Sequence, residues 1–435
     1  MFRRATRLRL AALAVVLAHA GSAFAGSIWT PVETAPVVCR CAICAGLTSV
    51  VVNNEPHVGS FTLYDAWMPQ TPVTSSSTAY SPAESPTPAA TISVYNPISV
   101  GSDSLGTFTI NINAGATLAS NTQAMAAFQR AAQQWANYIS DPISIYIDAN
   151  LADMGSNTVI GSTSSDTFEA SYDAVMAVLK ADAADEPDDG LVASLPALAQ
   201  FNATLPTGFA LNGNLSATRA NIKSFDPTAF NDTASDGNIT FNTRFNFDFD
   251  NSNGVSPGTV DFETVAAHEI GHLLGFVSEV DRVDTLLAAG STASDIRPRT
   301  LDLFRFNDDQ VGQDPSNLLE FATFPRRLSP GGDHIMDFIT AFADLPAELE
   351  LSTGRLNGNG SQASHWRDDA ITALTLGIMD PSLPNQTVIL VANSDLRALD
   401  LIGYDINIPE PATGLLLLAG GTVLLTRRRK TSATS

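Results

Sequence analysis

Apolar and polar residues alternate with a period near two at three places along the chain. Residues 107–112, 143–147 and 239–249 put apolar side chains at every second position, which predicts half-buried strands. Residues 301–306, beginning Leu301-Asp302-Leu303-Phe304, read as a further, buried strand. Elsewhere the period lengthens towards that of a helix. Residues 122–139 carry Met125, Phe128, Ala132 and Trp135 at helical spacing, and residues 167–181 predict a second helix. Residues 262–277 predict a third, through Val265, Ala266, Ile270, Leu273 and Leu274. Residues 183–236 are crowded with turn residues and show no clear period, while 68–100 are rich in Pro, Ser and Thr and read as a loop or linker. No repeat of fixed length is visible. Strands and helices intermix, so the expected class is α+β with a mixed sheet.

The two ends follow other rules. Arg3, Arg4, Arg7 and Arg9 precede an apolar stretch from Leu10, and Ala23-Phe24-Ala25 offers a small-x-small cleavage site. That layout predicts a secretory signal peptide over residues 1–25. At the other end Pro409-Glu410-Pro411 is followed by an apolar run over 412–425, then by Arg427, Arg428, Arg429 and Lys430. At 1.5 Å per helical residue the run is short for a bilayer about 30 Å thick, and the basic cluster would stay on the cytoplasmic side. Residues 409–430 resemble a PEP-CTERM sorting signal with a short transmembrane helix. The resemblance implies an exported protein of a Gram-negative bacterium, placed at the cell surface or outside it. It also implies recognition by an exosortase-type processing enzyme and transient or permanent anchorage through 412–425.

Composition narrows the remaining classes. The 435 residues leave room for two or three domains, and 44% hydrophobic content with 22 Phe excludes a mainly disordered chain. The net charge is −22, from 45 acidic against 23 basic residues, which makes nucleic acid a poor partner. Removing both ends would strip eight basic residues and no acidic ones, so the processed chain is more acidic still. Three cysteines cannot build a disulfide scaffold. Cys39, Cys41 and Cys44 fit metal binding, a single disulfide, or capping of a metal before activation.

The candidate chemistry sits on the third predicted helix. His268-Glu269-Ile270-Gly271-His272 is an H-E-x-x-H motif. Positions i and i+4 share a helix face, so both imidazoles can aim at one metal about 2.0–2.1 Å away. Glu269 is rotated off that face, within reach of a metal-bound water whose proton it can take. The H-E-x-x-H helix resembles that of metzincin zinc peptidases, whose long motif would imply a third ligand six residues after His272; that position is Ser278, a poor donor for zinc. Glu279 and Asp281 are nearby carboxylates, although Gly275 should end or bend the helix before them. Two later histidines qualify: His365 in Ser364-His365-Trp366, and His334 in His334-Ile335-Met336. His365 is preferred, with His334 as the alternative third ligand. His57 lies upstream and reads as an ordinary surface or core residue.

The strings HEIGHLLGF, SHW and GIMDP resemble the leishmanolysin-like branch of the metzincin zinc peptidases, in which a long insertion separates the helix glycine from the third histidine. The resemblance implies a two-lobed α+β metallopeptidase fold. An N-terminal catalytic lobe over 105–277 would hold the mixed sheet and zinc-binding helix. An irregular C-terminal lobe over 278–406 would supply the third ligand and a methionine turn. Residues 26–104 would precede it as an N-terminal region and linker or as a propeptide. By the same resemblance His268, His272 and His365 bind Zn2+, Glu269 is the general base, Gly275 ends the helix beneath the metal, and Met379 forms a floor without ligating. The implied activity is peptide-bond hydrolysis on a protein or peptide substrate. The rival expectation is a catalytically inactive surface or extracellular-matrix protein with a metzincin-like fold.

Two weaker signals read as ordinary structure. Asp248, Asp250 and Ser252 alternate before Gly254, but the glycine is misplaced for an EF-hand, so a polar turn is expected. Asp182, Asp185, Glu186, Asp188 and Asp189 read as a solvated acidic loop.

Overall fold

The computed structural model describes residues 28–32, 38–39, 90–95, 107–185, 190–308, 313–337 and 348–407. The expected signal peptide, His57, Cys41, Cys44 and the 412–425 apolar run lie outside the described residues. Eleven strands and six helices carry the argument below. They are β1 (Val38–Cys39), β2 (Ala90–Tyr95), β3 (Thr109–Ala114), β4 (Ser144–Ala152), β5 (Gly161–Ser165), β6 (Thr167–Ser171), β7 (Asn214–Thr218) and β8 (Gly237–Asn242), then β9 (Arg305–Asn307), β10 (His334–Asp337) and β11 (Glu348–Leu351). The helices are α1 (Thr122–Ala136), α2 (Tyr172–Asp182), α3 (Arg219–Phe225), α4 (Phe262–Leu274), α5 (Val280–Ala288) and α6 (Asn393–Leu401).

The fold is mixed α+β. Its main sheet has the order β1-β5-β8-β4-β3-β2. Strands β3, β4 and β8 run parallel, while β2, β5 and β1 are antiparallel to their neighbours. The period-two pattern explains the inner strands: Ile145, Ile147, Ala149 and Leu151 of β4 all point to the core. Helix α1 starts where the Asn121 side chain accepts the Ala124 N–H at 3.0 Å. It buries Phe128 and Trp135, and the Trp135 indole donates to the Ala267 carbonyl of α4 at 2.8 Å. Phe241 of β8 packs between Phe128 and Phe262, fixing the start of α4 against the sheet.

Several expectations are corrected. Residues 167–171, read as the start of a helix, form β6, because they pair on one side with β7 and on the other with Thr30–Pro31. The helix begins only at Tyr172. Residues 90–95, read as linker, form the sheet edge β2, paired to β3 along its length. The strand expected over 239–249 stops at Asn242. That side chain donates to the Ser156 and Val159 carbonyls and accepts the Arg244 N–H, which turns the chain. The strand expected over 301–306 is a 3-10 turn at Leu301–Phe304 followed by β9. The turn closes because the Asp302 carboxylate accepts the Glu279 and Arg299 N–H groups, both at 2.9 Å. The acidic stretch 186–189 lies outside the described residues.

Beyond α5, β9, β10 and β11 form a small antiparallel sheet in the order β9-β10-β11. Its apolar side chains, Phe306, Met336 and Leu351 among them, belong to the same core as Phe262 and Leu273. The end of the described chain returns beneath α4: the Tyr404 hydroxyl donates to the Leu274 carbonyl at 2.8 Å.

Candidate metal centre

Helix α4 is buried along its whole length. Asp261 caps its start by accepting the Thr264 N–H at 3.0 Å. Gly275 ends it at φ +124°, a conformation that favours glycine, and a Cβ there would meet Ile402 at 2.9 Å and Asn221 at 3.0 Å. Phe276 then starts the departing chain, and its carbonyl faces back to His272.

The structure brings His268, His272 and His365 together. Their Nε2 atoms stand 3.0 Å (268–272), 3.2 Å (272–365) and 3.3 Å (268–365) apart. Each Nδ1 faces a backbone carbonyl: Ile378 at 2.7 Å, Phe276 at 2.8 Å and Gln362 at 3.0 Å, for His268, His272 and His365 respectively. An Nδ1–H donating to a carbonyl leaves the Nε2 lone pair bare. Burial pushes the His268 imidazole down to about 4. Burial and the neighbouring rings hold His272 and His365 well below the ordinary histidine range. The three rings are therefore neutral at pH 7, the form a metal requires.

His365 reaches the trio from a distant loop through two carboxylates of α5. Asp281 accepts the Ala363 N–H at 2.6 Å, the Ser364 N–H at 3.1 Å and the Ser364 hydroxyl at 2.5 Å. Asp284, one turn later, accepts the Leu356 and Asn357 N–H groups at 2.7 and 2.8 Å. The buried Arg305 adds donors to the Ala363 and Ser352 carbonyls. Arg305 also donates to His334 Nδ1 at 3.1 Å, and His334 Nε2 faces the Gly331 carbonyl at 3.1 Å. His334 is thus engaged apart from the trio. Glu279 pairs with Arg282 and Arg299.

The Met379 thioether packs against Gly271, one of the three residues between the two motif histidines, where any Cβ would collide with it. The turn carrying Met379 hangs on Asp395 of α6. This fully buried carboxylate accepts the Ile378 N–H (2.8 Å), the Met379 N–H (3.2 Å), the Ala392 N–H (2.8 Å) and the Trp366 indole N–H (2.7 Å).

Glu269 is fully buried beside the histidines. The Thr163 hydroxyl of β5 donates to its Oε2 at 2.7 Å, and Oε1 has no hydrogen-bond partner. Burial raises this carboxyl to about 8, against the lowering effect of Thr163. Thr163, Asp281, Asp284, Arg305 and Asp395 carried no sequence signal as site residues beyond the proximity of Asp281 to the motif. Asp248 accepts the Asp250 and Ser256 N–H groups and builds a polar turn. Two further carboxylate groups, Asp308-Asp314-Glu348 and Asp368-Asp369-Asp380, also lie close together.

Cys39 belongs to β1, the last strand in the order of the main sheet among the described residues, and its backbone pairs with Thr163. Among the described residues no helix is long and apolar enough to cross a membrane. No curated protein and no solved structure matches the chain. The family described as the PEP-CTERM protein-sorting motif matches residues 407–430. This tail marks an exported, surface-targeted protein and implies handling by an exosortase-type enzyme.

Proposed function

We propose that the chain is an exported zinc-dependent metalloendopeptidase of metzincin type, resembling the leishmanolysin-like branch. The observation that carries this reading is the spacing of the three Nε2 atoms. Four ligands placed tetrahedrally about 2.05 Å from zinc are about 3.3 Å apart, against 3.0, 3.2 and 3.3 Å here. Three neutral imidazoles, each oriented by a carbonyl on its other nitrogen, fit Zn2+ and leave a fourth position free for water or substrate. Zinc bound there supplies Lewis acidity, acidifying water and polarising a carbonyl.

The protein groups supply the rest. Glu269 Oε1 takes a proton from the attacking water and returns it to the leaving amine. Its Oε1 carries no hydrogen bond within the protein, which leaves that oxygen as the proton acceptor. Met379, packed against Gly271 of the same helix, would form a floor to the site without ligating, since soft thioether sulfur is a poor partner for this site. His268, His272 and His365 are the proposed ligands, because His334 is committed to Arg305 and Gly331.

The purified full chain should bind about one zinc per molecule. Glu269→Ala should keep the metal and lose hydrolysis of casein. Hydrolysis that persists in this variant refutes the mechanism. A folded wild-type chain that takes up no zinc and cleaves nothing supports the inactive surface protein instead.

A further inference from the structure

Residues i and i+2 of a strand share one face, and on β5 that face carries Gly161 and Thr163. Both meet the Glu269 carboxylate, from different sides. Thr163 Oγ1 lies 2.7 Å from Oε2, and a Cβ on Gly161 would stand 2.6 Å from Oε1. The Thr163 hydroxyl is also 2.9 Å from the Glu269 backbone carbonyl. A carbonyl inside a helix already accepts the N–H four residues on, and Oε2 is the nearer of the two acceptors. The single hydroxyl proton therefore goes to Oε2. Thr163 is itself buried and β-branched within a paired strand, so its side chain is stiff.

We propose that Thr163 and Gly161 are positioning residues for the general base: Thr163 pins Oε2, and the missing side chain at Gly161 leaves the space that the unpartnered Oε1 occupies. This rests on the reading of Glu269 as general base. Both act through Glu269: their effect is to restrict the carboxylate to one rotamer, with Oε2 held by Thr163 and Oε1 seated against Gly161. Loss of a held geometry at the reacting group lowers turnover without weakening substrate binding.

The test uses the zinc-loaded full chain and a quenched fluorescent peptide that the wild type cleaves. Thr163→Val removes the donor and keeps the shape. It should lower kcat by about 10-fold or more, the loss expected for one hydrogen bond to a charged group, with KM and zinc content unchanged. Thr163→Ser restores the donor and should recover most of the lost kcat. Gly161→Ala, which fills that space, should also lower kcat while retaining zinc, and it decides the matter if Thr163→Val fails to fold. Unchanged kcat in Thr163→Val, or a serine variant as slow as the valine one, overturns the proposal and leaves the metallopeptidase reading standing. A zinc-loaded wild type that cleaves no peptide overturns both.

Discussion

Asp395→Asn replaces one oxygen of a buried carboxylate by an NH2 group and keeps its shape. In the native side chain Oδ1 accepts from the Trp366 indole and Met379, while Oδ2 accepts from Ile378 and Ala392. Asparagine has one acceptor oxygen, so either orientation of the amide turns NH2 towards two N–H donors. A buried donor left unpaired costs about 1–3 kcal/mol, giving a destabilisation of about 2–6 kcal/mol. Against a total stability of about 5–15 kcal/mol, that is a large share. The assay is urea unfolding of the metal-free chain at pH 8, above the value near 6 to which burial raises this carboxyl, so that the native group is ionised. With a slope of about 3 kcal/mol per M, the midpoint should fall by about 0.7–2 M. Zinc affinity should fall too, by up to about 10-fold, because the turn held by Asp395 supplies the Ile378 carbonyl that orients His268. Asp368→Asn, near the surface, is the control and should shift the midpoint far less. An unchanged midpoint with an unchanged slope would refute the view that four N–H groups depend on this one carboxylate.

The ligand assignment separates two histidines: His365→Ala should abolish stoichiometric zinc, and His334→Ala should keep zinc but lower the unfolding midpoint by leaving Arg305 short of an acceptor. Metal analysis with the roles reversed would overturn the assignment. The pH dependence follows from the histidine trio. Their folded values lie below the unfolded value near 6.5, so the unfolded state binds more protons in between. Their contribution is complete above about 6.5 and is lost as pH falls towards about 4, the value for His268. Zinc should accordingly leave on acidification towards pH 4, as measured by dialysis and metal analysis; complete release by pH 6 would contradict the burial argument.

The parts legible in the sequence were those with a local period or a chemical constraint. H-E-x-x-H on an apolar helix specified α4 and the directions of His268 and His272, because i and i+4 are neighbours on any helix. Histidine is scarce in this chain, which made His365 findable. The misread segments were settled by distant partners. Thr167–Ser171 has helical-looking apolar spacing, but the pairing with β7 and Thr30–Pro31 decides its state. Ala90–Tyr95 was masked by its Pro- and Ser-rich flanks, although Ile92 and Val94 alternate as a strand should. Thr163 and Asp395 were invisible for a different reason. A threonine in a strand and an aspartate in a helix are ordinary residues until their partners, more than a hundred positions from Thr163 in Glu269 and 29 from Asp395 in Trp366, are known.

The loop anchored by Asp281 and Asp284 sets an order for folding. Helix α4 can form from local contacts, and with it two of the three nitrogens. The third arrives only after a chain excursion from Ser278 to Ser364 has closed, a long-range contact whose loop entropy must be met before it is rewarded. A partly folded chain therefore offers at most a weak two-histidine site. On the metalloendopeptidase reading proposed above, high-affinity zinc uptake would then be a late event, and bound metal would tie the two ends of that excursion together and slow its reopening.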